Sequence, residues 1–348
     1  MKIFSILLFA IGILAGLQDP KGFGLCLIAG IIDPEVLGDI VQDKLANMLL
    51  GIPDLDSTDE FPIGTPGTSW EVPVNDLLPA FTRNGEGVTL VPQNLTQSRY
   101  KMVVQRSGQA YREQRIDNLV TGDANKSTLN LGTRIAERAR DYIVQSRFWI
   151  LEGAIPSSNR RSALGTNLTT AEIGAGKALI GDKSSMLKYA LMHSKTFEDL
   201  NNAGAIVYQT MANVLDPGSG YSSRINLGDT PPANSVPTVR GLICVVSDYC
   251  TTVAGTPTQY ATYLLGQGAM GMYFQQQLKV DEDQELLIDG GYKYFVPNVD
   301  FVLCLHGTSY NEASNPQSYT QVNLQNTANY AQVFSSAKNI LAVRLQHN

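Results

Sequence analysis

From Thr68 the chain alternates between apolar and polar positions, with Trp70, Val72 and Val74 as the apolar set. A period of two predicts a half-buried strand. The strand runs to a polar tip, Thr82-Arg83-Asn84-Gly85-Glu86-Gly87, and returns through Val88, Leu90 and Met102-Val103-Val104. The result is a long ribbon with too few apolar residues to bury both faces. An isolated two-stranded ribbon is marginal in water, and its edges carry unpaired N–H and C=O groups that invite another chain. A neighbouring molecule is expected to complete it, so the pattern points to assembly and not to catalysis.

The period then changes to that of a helix. Asn130 to Ile155 is the longest helical stretch, about 35–40 Å at 1.5 Å per residue, with Leu131, Ile135, Ala139, Tyr142, Ile143, Trp149 and Ile150 on its apolar side. Arg134, Arg138, Asp141, Gln145 and Glu152 form its polar side, and Pro156 ends it. An earlier helix is expected from Asp33 to about Leu50, with Asp33 as N-cap, Pro34 at the first helical position and Leu37, Ile40, Val41, Leu45 and Leu49 as its stripe. The subunit-interface candidates are Trp70, Val72, Val74, Arg83, Asn84 and Glu86 of the ribbon, with Arg134 and Arg138 of the long helix.

Beyond the helix the pattern is mixed. Thr169-Thr170-Ala171-Glu172 has capping-box spacing and opens a helix toward Ile180. Tyr189 to His193 reads as a strand and Thr196 to Ala203 as a helix. Residues 212 to 237, rich in Pro and Gly, read as a loop excursion. Strands are expected further on at Leu242 to Ser247, Tyr260 to Leu265, Tyr292 to Val296, Phe301 to Leu305 and Ile340 to Leu345.

With 348 residues, 43% hydrophobic and 17% charged, the chain is a folded protein with a sizeable core. A net charge of −6 argues against a surface that grips nucleic acid throughout. The charge is uneven: Asp33 to Glu60 holds eight acidic residues and one lysine, while Arg99 to Arg161 holds twelve basic and six acidic residues. Two readings stand side by side, solvated helix faces or complementary surfaces that meet between subunits. The cysteines, Cys26, Cys244, Cys250 and Cys304, include no Cys-x-x-Cys pair, and three sit in apolar surroundings, which predicts buried thiols.

The first residues have a double reading. Lys2 followed by Ile3 to Leu17 resembles a secretory signal. However, its small-x-small cleavage site is poor, and a second apolar stretch comes at Phe23 to Ile32. The run is shorter than the ~20 residues of a membrane span. An apolar arm buried against neighbouring subunits is the preferred expectation.

Chemistry has little to stand on. Gly266-Gln267-Gly268-Ala269-Met270-Gly271 is a literal G-x-G-x-x-G after a strand, with Asp289 near the spacing of a ribose-binding acid. The residues after Gly271 do not read as a helix leading into a parallel strand, so tight turns or close packing are expected of those glycines. His193, His306 and His347 lack metal-ligand spacing, and no phosphate-binding loop or nucleophile elbow occurs. No catalytic residue, cofactor or metal is assigned.

Five blocks, in order, resemble the major capsid (coat) proteins of tailed phages. They are Ile32-Asp33-Pro34-Glu35-Val36; Gly181-Asp182 with Ala190-Leu191-Met192-His193-Ser194-Lys195 and Leu200; Tyr260 to Gly271; Tyr294-Phe295 to His306-Gly307; and Asn329-Tyr330 with Lys338-Asn339-Ile340 to His347-Asn348. Residues 31 to 348 are covered. The resemblance implies an α+β, Hong Kong 97-like fold. It divides into an N-terminal arm and helix (1–66), an E-loop ribbon (67–110), a peripheral domain with spine helix (111–180), an axial domain (181–270) and return strands (271–348). It further implies a structural protein, not an enzyme, whose partners are its own copies in hexamers and pentamers. These form an icosahedral virion shell around double-stranded DNA, which the shell encloses without sequence-specific binding. Assembly in the host cytoplasm, and portal, scaffolding or decoration proteins as further partners, go with that reading. The rivals are an encapsulin-like nanocompartment with the same fold and a secreted α/β enzyme with a cleaved signal.

Overall fold

The computed structural model of the chain describes residues 56–57, 69–75, 97–114, 124–210, 235–255, 257–285, 292–311 and 320–348. The expected apolar arm with Cys26, the helix from Asp33 to Leu50, the ribbon tip at 82–87 and most of the loop excursion lie outside these residues.

Four strands come first: β1 (Asp56–Ser57), β2 (Ser69–Asn75), β3 (Gln97–Gly108) and β4 (Tyr111–Gln114). The long helix α1 (Ala124–Ala154) follows, then β5 (Arg160–Ser162), α2 (Thr170–Leu179), β6 (Leu187–Met192), α3 (Ser194–Asn202) and β7 (Val207–Thr210). Next are β8 (Ser235–Val239), β9 (Leu242–Val246), β10 (Thr252–Val253), β11 (Gln259–Gly266), β12 (Met270–Glu285) and β13 (Tyr292–Leu305). The chain closes with β14 (Thr308–Tyr310), α4 (Gln321–Gln325), β15 (Tyr330–Gln332) and β16 (Ala342–His347). The described residues fall into two compact units, one drawn from Gly108–Arg138 and Leu278–Asn298, the other from Leu49–Ser107, Ala139–Gln277 and Val299–Asn348.

The larger unit holds a mixed eight-stranded sheet, in the order β5-β16-β11-β6-β9-β8-β7 with β10 also on β11. Strand β11 is central, and its residues 261 to 265 are all buried because both faces are covered. On one face Leu264 packs with Ile173 of α2, Leu200 of α3, and Ala190 and Val343 of the flanking strands. On the other, the Tyr263 ring lies 5.8 Å from Phe148 of α1.

The helices on this sheet start where the side-chain chemistry allows. Thr169 caps α2, its hydroxyl accepting the Glu172 N–H at 3.3 Å, as the capping-box spacing predicts. A β-carbon on Gly176 would sit 2.7 Å from Leu345 Cδ2, so this glycine sets how closely α2 approaches the sheet. Helix α3 begins at Ser194, two residues before the expected Thr196, because the ring nitrogen Nδ1 of His193 accepts the Lys195 N–H at 3.1 Å. A histidine cap falls outside the usual Ser, Thr, Asp and Asn signals.

A second sheet runs β1-β12-β13-β3-β2. Strand β2 pairs antiparallel with β3 in the register Trp70↔Met102, Val72↔Tyr100 and Val74↔Ser98, which is the stem of the expected ribbon. The glycine motif is the turn between the two sheets. Gly268 has φ +60, the Ala269 N–H returns to Gly266 C=O at 3.3 Å, and a β-carbon on Gly266 would lie 2.7 Å from Leu341 Cβ. A strand of 16 residues, β12, follows it where a dinucleotide fold requires a helix. The tripeptide Gln275-Gln276-Gln277 and the acidic Asp281-Glu282-Asp283 hide that strand from a periodicity reading.

Two expectations need correction. The long helix spans 31 residues, about 46 Å, and starts at Ala124, not Asn130. The first turns, Ala124 to Thr128, carry no apolar stripe to betray them, yet extending an existing helix costs little. The strands expected separately at Tyr292 to Val296 and Phe301 to Leu305 are one strand of 14 residues. In the smaller unit β4 pairs with Tyr292 to Phe295 of β13, and Pro297 lies opposite the turn at Gln109, whose N–H reaches Pro297 C=O at 3.4 Å. The proline's missing N–H falls where the partner chain is turning, so no regular ladder bond is lost.

Candidate assembly surfaces

The ribbon stem comes first. Trp70, Val72 and Val74 recur at every second position of β2, the last strand of its sheet. Its seven residues pair on one side with β3, and their other side is an open edge among the described residues. Pro73, which has no N–H to offer, lies within that edge. Arg83, Asn84 and Glu86 lie outside the described residues. Arg134 and Arg138 are both exposed one turn apart on α1, and Glu137 beside them is exposed too.

Glu152 departs from expectation. It belongs to the polar side of α1 by spacing, yet its side chain is turned inward. Its carboxylate accepts hydrogen bonds from Arg344 Nε at 2.7 Å and from the Tyr263 hydroxyl at 2.8 Å, and Arg160 stands 3.8 Å away. Arg160 Nε donates to the Ile155 carbonyl at 2.8 Å, and its Nη2 donates to the Glu152 and Gly153 carbonyls. The guanidinium thus caps the C-terminal carbonyls of α1, where the helix dipole favours a cation. Burial and the neighbouring carboxylate hold the Tyr263 phenol far above its ordinary value. The cluster ties α1 to β5, β11 and β16. Local sequence offers one hint of it, a glutamate inside the apolar run Trp149 to Ile155; its main partner is 192 residues away.

One end of the eight-stranded sheet exposes several apolar side chains. Six large apolar side chains are exposed among the described residues, and four of them, Leu164, Val246, Tyr249 and Val253, gather here. The register places them: Val246 pairs with Met192 at the close of β6, Val253 pairs with Gln259 at the start of β11, and Leu164 follows β5, whose Ser162 pairs with Gln346. Tyr260 lies between His193 and His347 at the same end, with ring centroids 4.8 and 6.3 Å away. His347 is fully buried, with Nε2 3.0 Å from Thr262 Oγ1, and burial lowers its affinity for a proton. These histidines are structural, and sequence reading placed none of the four apolar residues at an interface.

A cavity of about 20 Å³ lined by Gln105, Ile150, Leu303 and Tyr330, among others, has room for one water. Among the described residues no group of three His, Cys, Asp or Glu could hold a metal ion, and no helix is long and apolar enough to cross a membrane. Cys244 and Cys304 are buried free thiols, as their apolar surroundings predicted, and Cys250 is buried too although its sequence neighbours are polar; burial pushes the Cys244 thiol up to about 12.

Known proteins supply the remaining comparison. The family model for Gp13-like proteins, described as major capsid protein 13-like, matches residues 89–343. Among solved structures the chain is similar to the capsid of Ralstonia phage GP4, with 9% identity and a TM-score of 0.52 over 72% of this chain and 82% of that one. It is similar to a structure from Microbacterium phage Oxtober96, with 11% identity and a TM-score of 0.52 over 87% and 98%. A third likeness is to the acidic stable capsid structure of Helicobacter pylori bacteriophage KHP30, with 9% identity and a TM-score of 0.52 over 86% and 95%. At such identities the likeness is one of fold. No curated protein matches the chain.

Proposed function

The chain belongs to the Gp13-like family of major capsid proteins, and from that premise we propose that it assembles as hexamers and pentamers into an icosahedral shell around a phage genome. It is a phage coat protein with the Hong Kong 97-like fold. The observation that carries the reading is the extent of the family match, from the returning arm of the ribbon through α1 and the eight-stranded sheet into β16. The encapsulin and secreted-enzyme readings have no comparable support.

In this proposal the β2–β3 ribbon is the E-loop, α1 is the spine helix, and residues 181 to 270 form the axial domain. The 1–66 segment is the arm and its helix, and residues 271 to 348 complete the peripheral domain. The open edge of β2 and the ribbon residues Trp70, Val72, Val74, Arg83, Asn84 and Glu86 meet a neighbouring subunit, as do Arg134 and Arg138. The apolar end of the eight-stranded sheet faces other copies around the axis of the capsomer. Double-stranded DNA is enclosed without sequence-specific recognition, and the shell forms in the host cytoplasm with portal, scaffolding or decoration proteins as further partners. The role is structural and involves no catalysis.

The mechanism is geometric. Surface left incomplete on one copy is buried on the next, so the stability of the particle depends on assembly. Deleting Asn75 to Pro92 tests this directly. The expected product is a soluble subunit that forms no shells under the electron microscope, and particles of normal shape from the deletion would falsify the role given to the ribbon.

A further inference from the structure

The hairpin that joins β8 to β9 contains a residue that does not suit it. Val239 pairs with Leu242, leaving Arg240 and Gly241 as a two-residue turn, and both have positive φ, 49 and 79. Turns of this kind favour Asn, Asp or Gly at the first position, because a β-carbon there is crowded. Arg240 is the only described non-glycine residue with positive φ. Its side chain folds back over α2, where Nη1 donates to the Thr170 carbonyl at 2.7 Å. Gly174 makes room for it, since a β-carbon at that position would lie 2.1 Å from Arg240 Nη1.

A second cation joins it. Lys177, half-buried on α2, donates from Nζ to the Arg240 carbonyl at 3.3 Å. Both bonds end on neutral carbonyls, so neither charge is compensated among the described residues. The nearest candidate acid on α2, Glu172, is engaged elsewhere, accepting from Arg161 Nε at 2.7 Å. Burial, together with the charge of Arg240, lowers the proton affinity of Lys177. Two like charges thus share the surface formed by α2 and the β8–β9 turn, exposed at Arg240 and with no carboxylate on either among the described residues, which favours an anion supplied from outside.

We propose that Lys177 and Arg240 form a carboxylate-binding contact that receives an acidic side chain from a second copy of this chain. The richest source of such side chains in the sequence is the run from Asp33 to Glu60, with eight acidic residues and one lysine. The inference rests on the reading of the chain as a self-assembling coat protein. If Arg240 were only an anchor between turn and helix, removing it would weaken the subunit itself and have no separate effect on assembly.

Arg240→Gly separates the two roles, because glycine suits the turn. The thermal midpoint of the free full-length chain is expected to stay level or rise, while the concentration needed for empty-shell assembly rises roughly tenfold and its salt dependence weakens. Lys177→Gln should act in the same direction. Asp54→Asn/Asp59→Asn/Glu60→Gln should raise the assembly threshold as well, and adding Arg240→Gly to it should give less than the sum of the two effects. Wild-type assembly with unchanged salt dependence in Arg240→Gly, or a fall in the free-chain midpoint alone, overturns the contact. An effect seen only when DNA is present assigns the pair to phosphate and overturns the carboxylate partner. Full additivity of the two sets of changes overturns it as well. If the wild-type chain itself forms no shells, the coat-protein reading fails first.

Discussion

The eight-stranded sheet and the β2–β3 ribbon face the same difficulty, the unpaired edge of a strand, and answer it differently. The sheet ends in short strands, β5 with three residues and β7 with four. Its central strand is covered on both faces, and the Glu152 cluster bolts it to α1. The ribbon ends in β2, seven residues long, with an open side and a single paired neighbour among the described residues. Short edges are a standard defence against unwanted pairing, and long ones are an invitation. One region is satisfied within its own copy, whereas the other has an edge left open among the described residues, which the proposed assembly would complete from the next.

That contrast predicts where substitutions hurt a free subunit. The largest effect belongs to Glu152→Ala. It leaves Arg160 and Arg344 around an empty position and removes one of the two partners of the Tyr263 hydroxyl. Breaking a buried pair by removing one member costs about 3–5 kcal/mol, so urea unfolding of the unassembled full-length chain should show a clear drop in midpoint. A loss below about 1 kcal/mol, comparable with a surface pair, would mean the cluster is a decoration on a sheet that holds itself together.

Gly153→Ala sharpens the same side of the comparison by its sign. In a free helix this change stabilises by about 1 kcal/mol. Here the added β-carbon would lie 2.1 Å from the Leu324 carbonyl oxygen and 2.5 Å from Tyr330 Cε2. The backbone of α4 packs straight onto the bare helix surface, and it cannot swing aside as a flexible side chain would. Overpacking of this kind costs about 1–3 kcal/mol, so the variant should be less stable. A gain in stability would show that α4 and β15 yield easily.

How much of this was legible depends on the range of the interaction. The ribbon stem, α1, the cap of α2 and the burial of Cys244 and Cys304 follow from patterns along a few residues, and each was readable, whereas buried Cys250 sits among polar neighbours and was not. The resemblance of ordered blocks supplied the fold class. The Glu152 cluster was not readable, because its members come from α1, β5, β11 and β16, and nothing local joins Glu152 to Arg344. The glycine motif shows the opposite fault, a local pattern whose meaning was set elsewhere. Gly266 is needed for contact with Leu341, far along the chain, and not for a phosphate. The left-handed Arg240 was invisible too, since Arg-Gly is a weak turn signal and its support lies on α2.

The smallest effect on a free subunit is expected at Arg134 and Arg138, and its smallness is informative. Both side chains are exposed on α1, and surface substitutions of this sort stay within about 0.5 kcal/mol. The double reversal Arg134→Glu/Arg138→Glu should therefore leave the unfolding midpoint of the unassembled chain nearly unchanged. If these arginines meet a neighbour, the same variant should still lose shells in an assembly assay, with the loss growing at low ionic strength, where repulsion is least screened. If instead they only wet one face of a helix, assembly will follow the wild type at every salt concentration. A fall in subunit stability would fit neither reading and would bring this face of the helix into the folded core. The comparison between a region closed on itself and a region open to its neighbours would then have to be redrawn along α1.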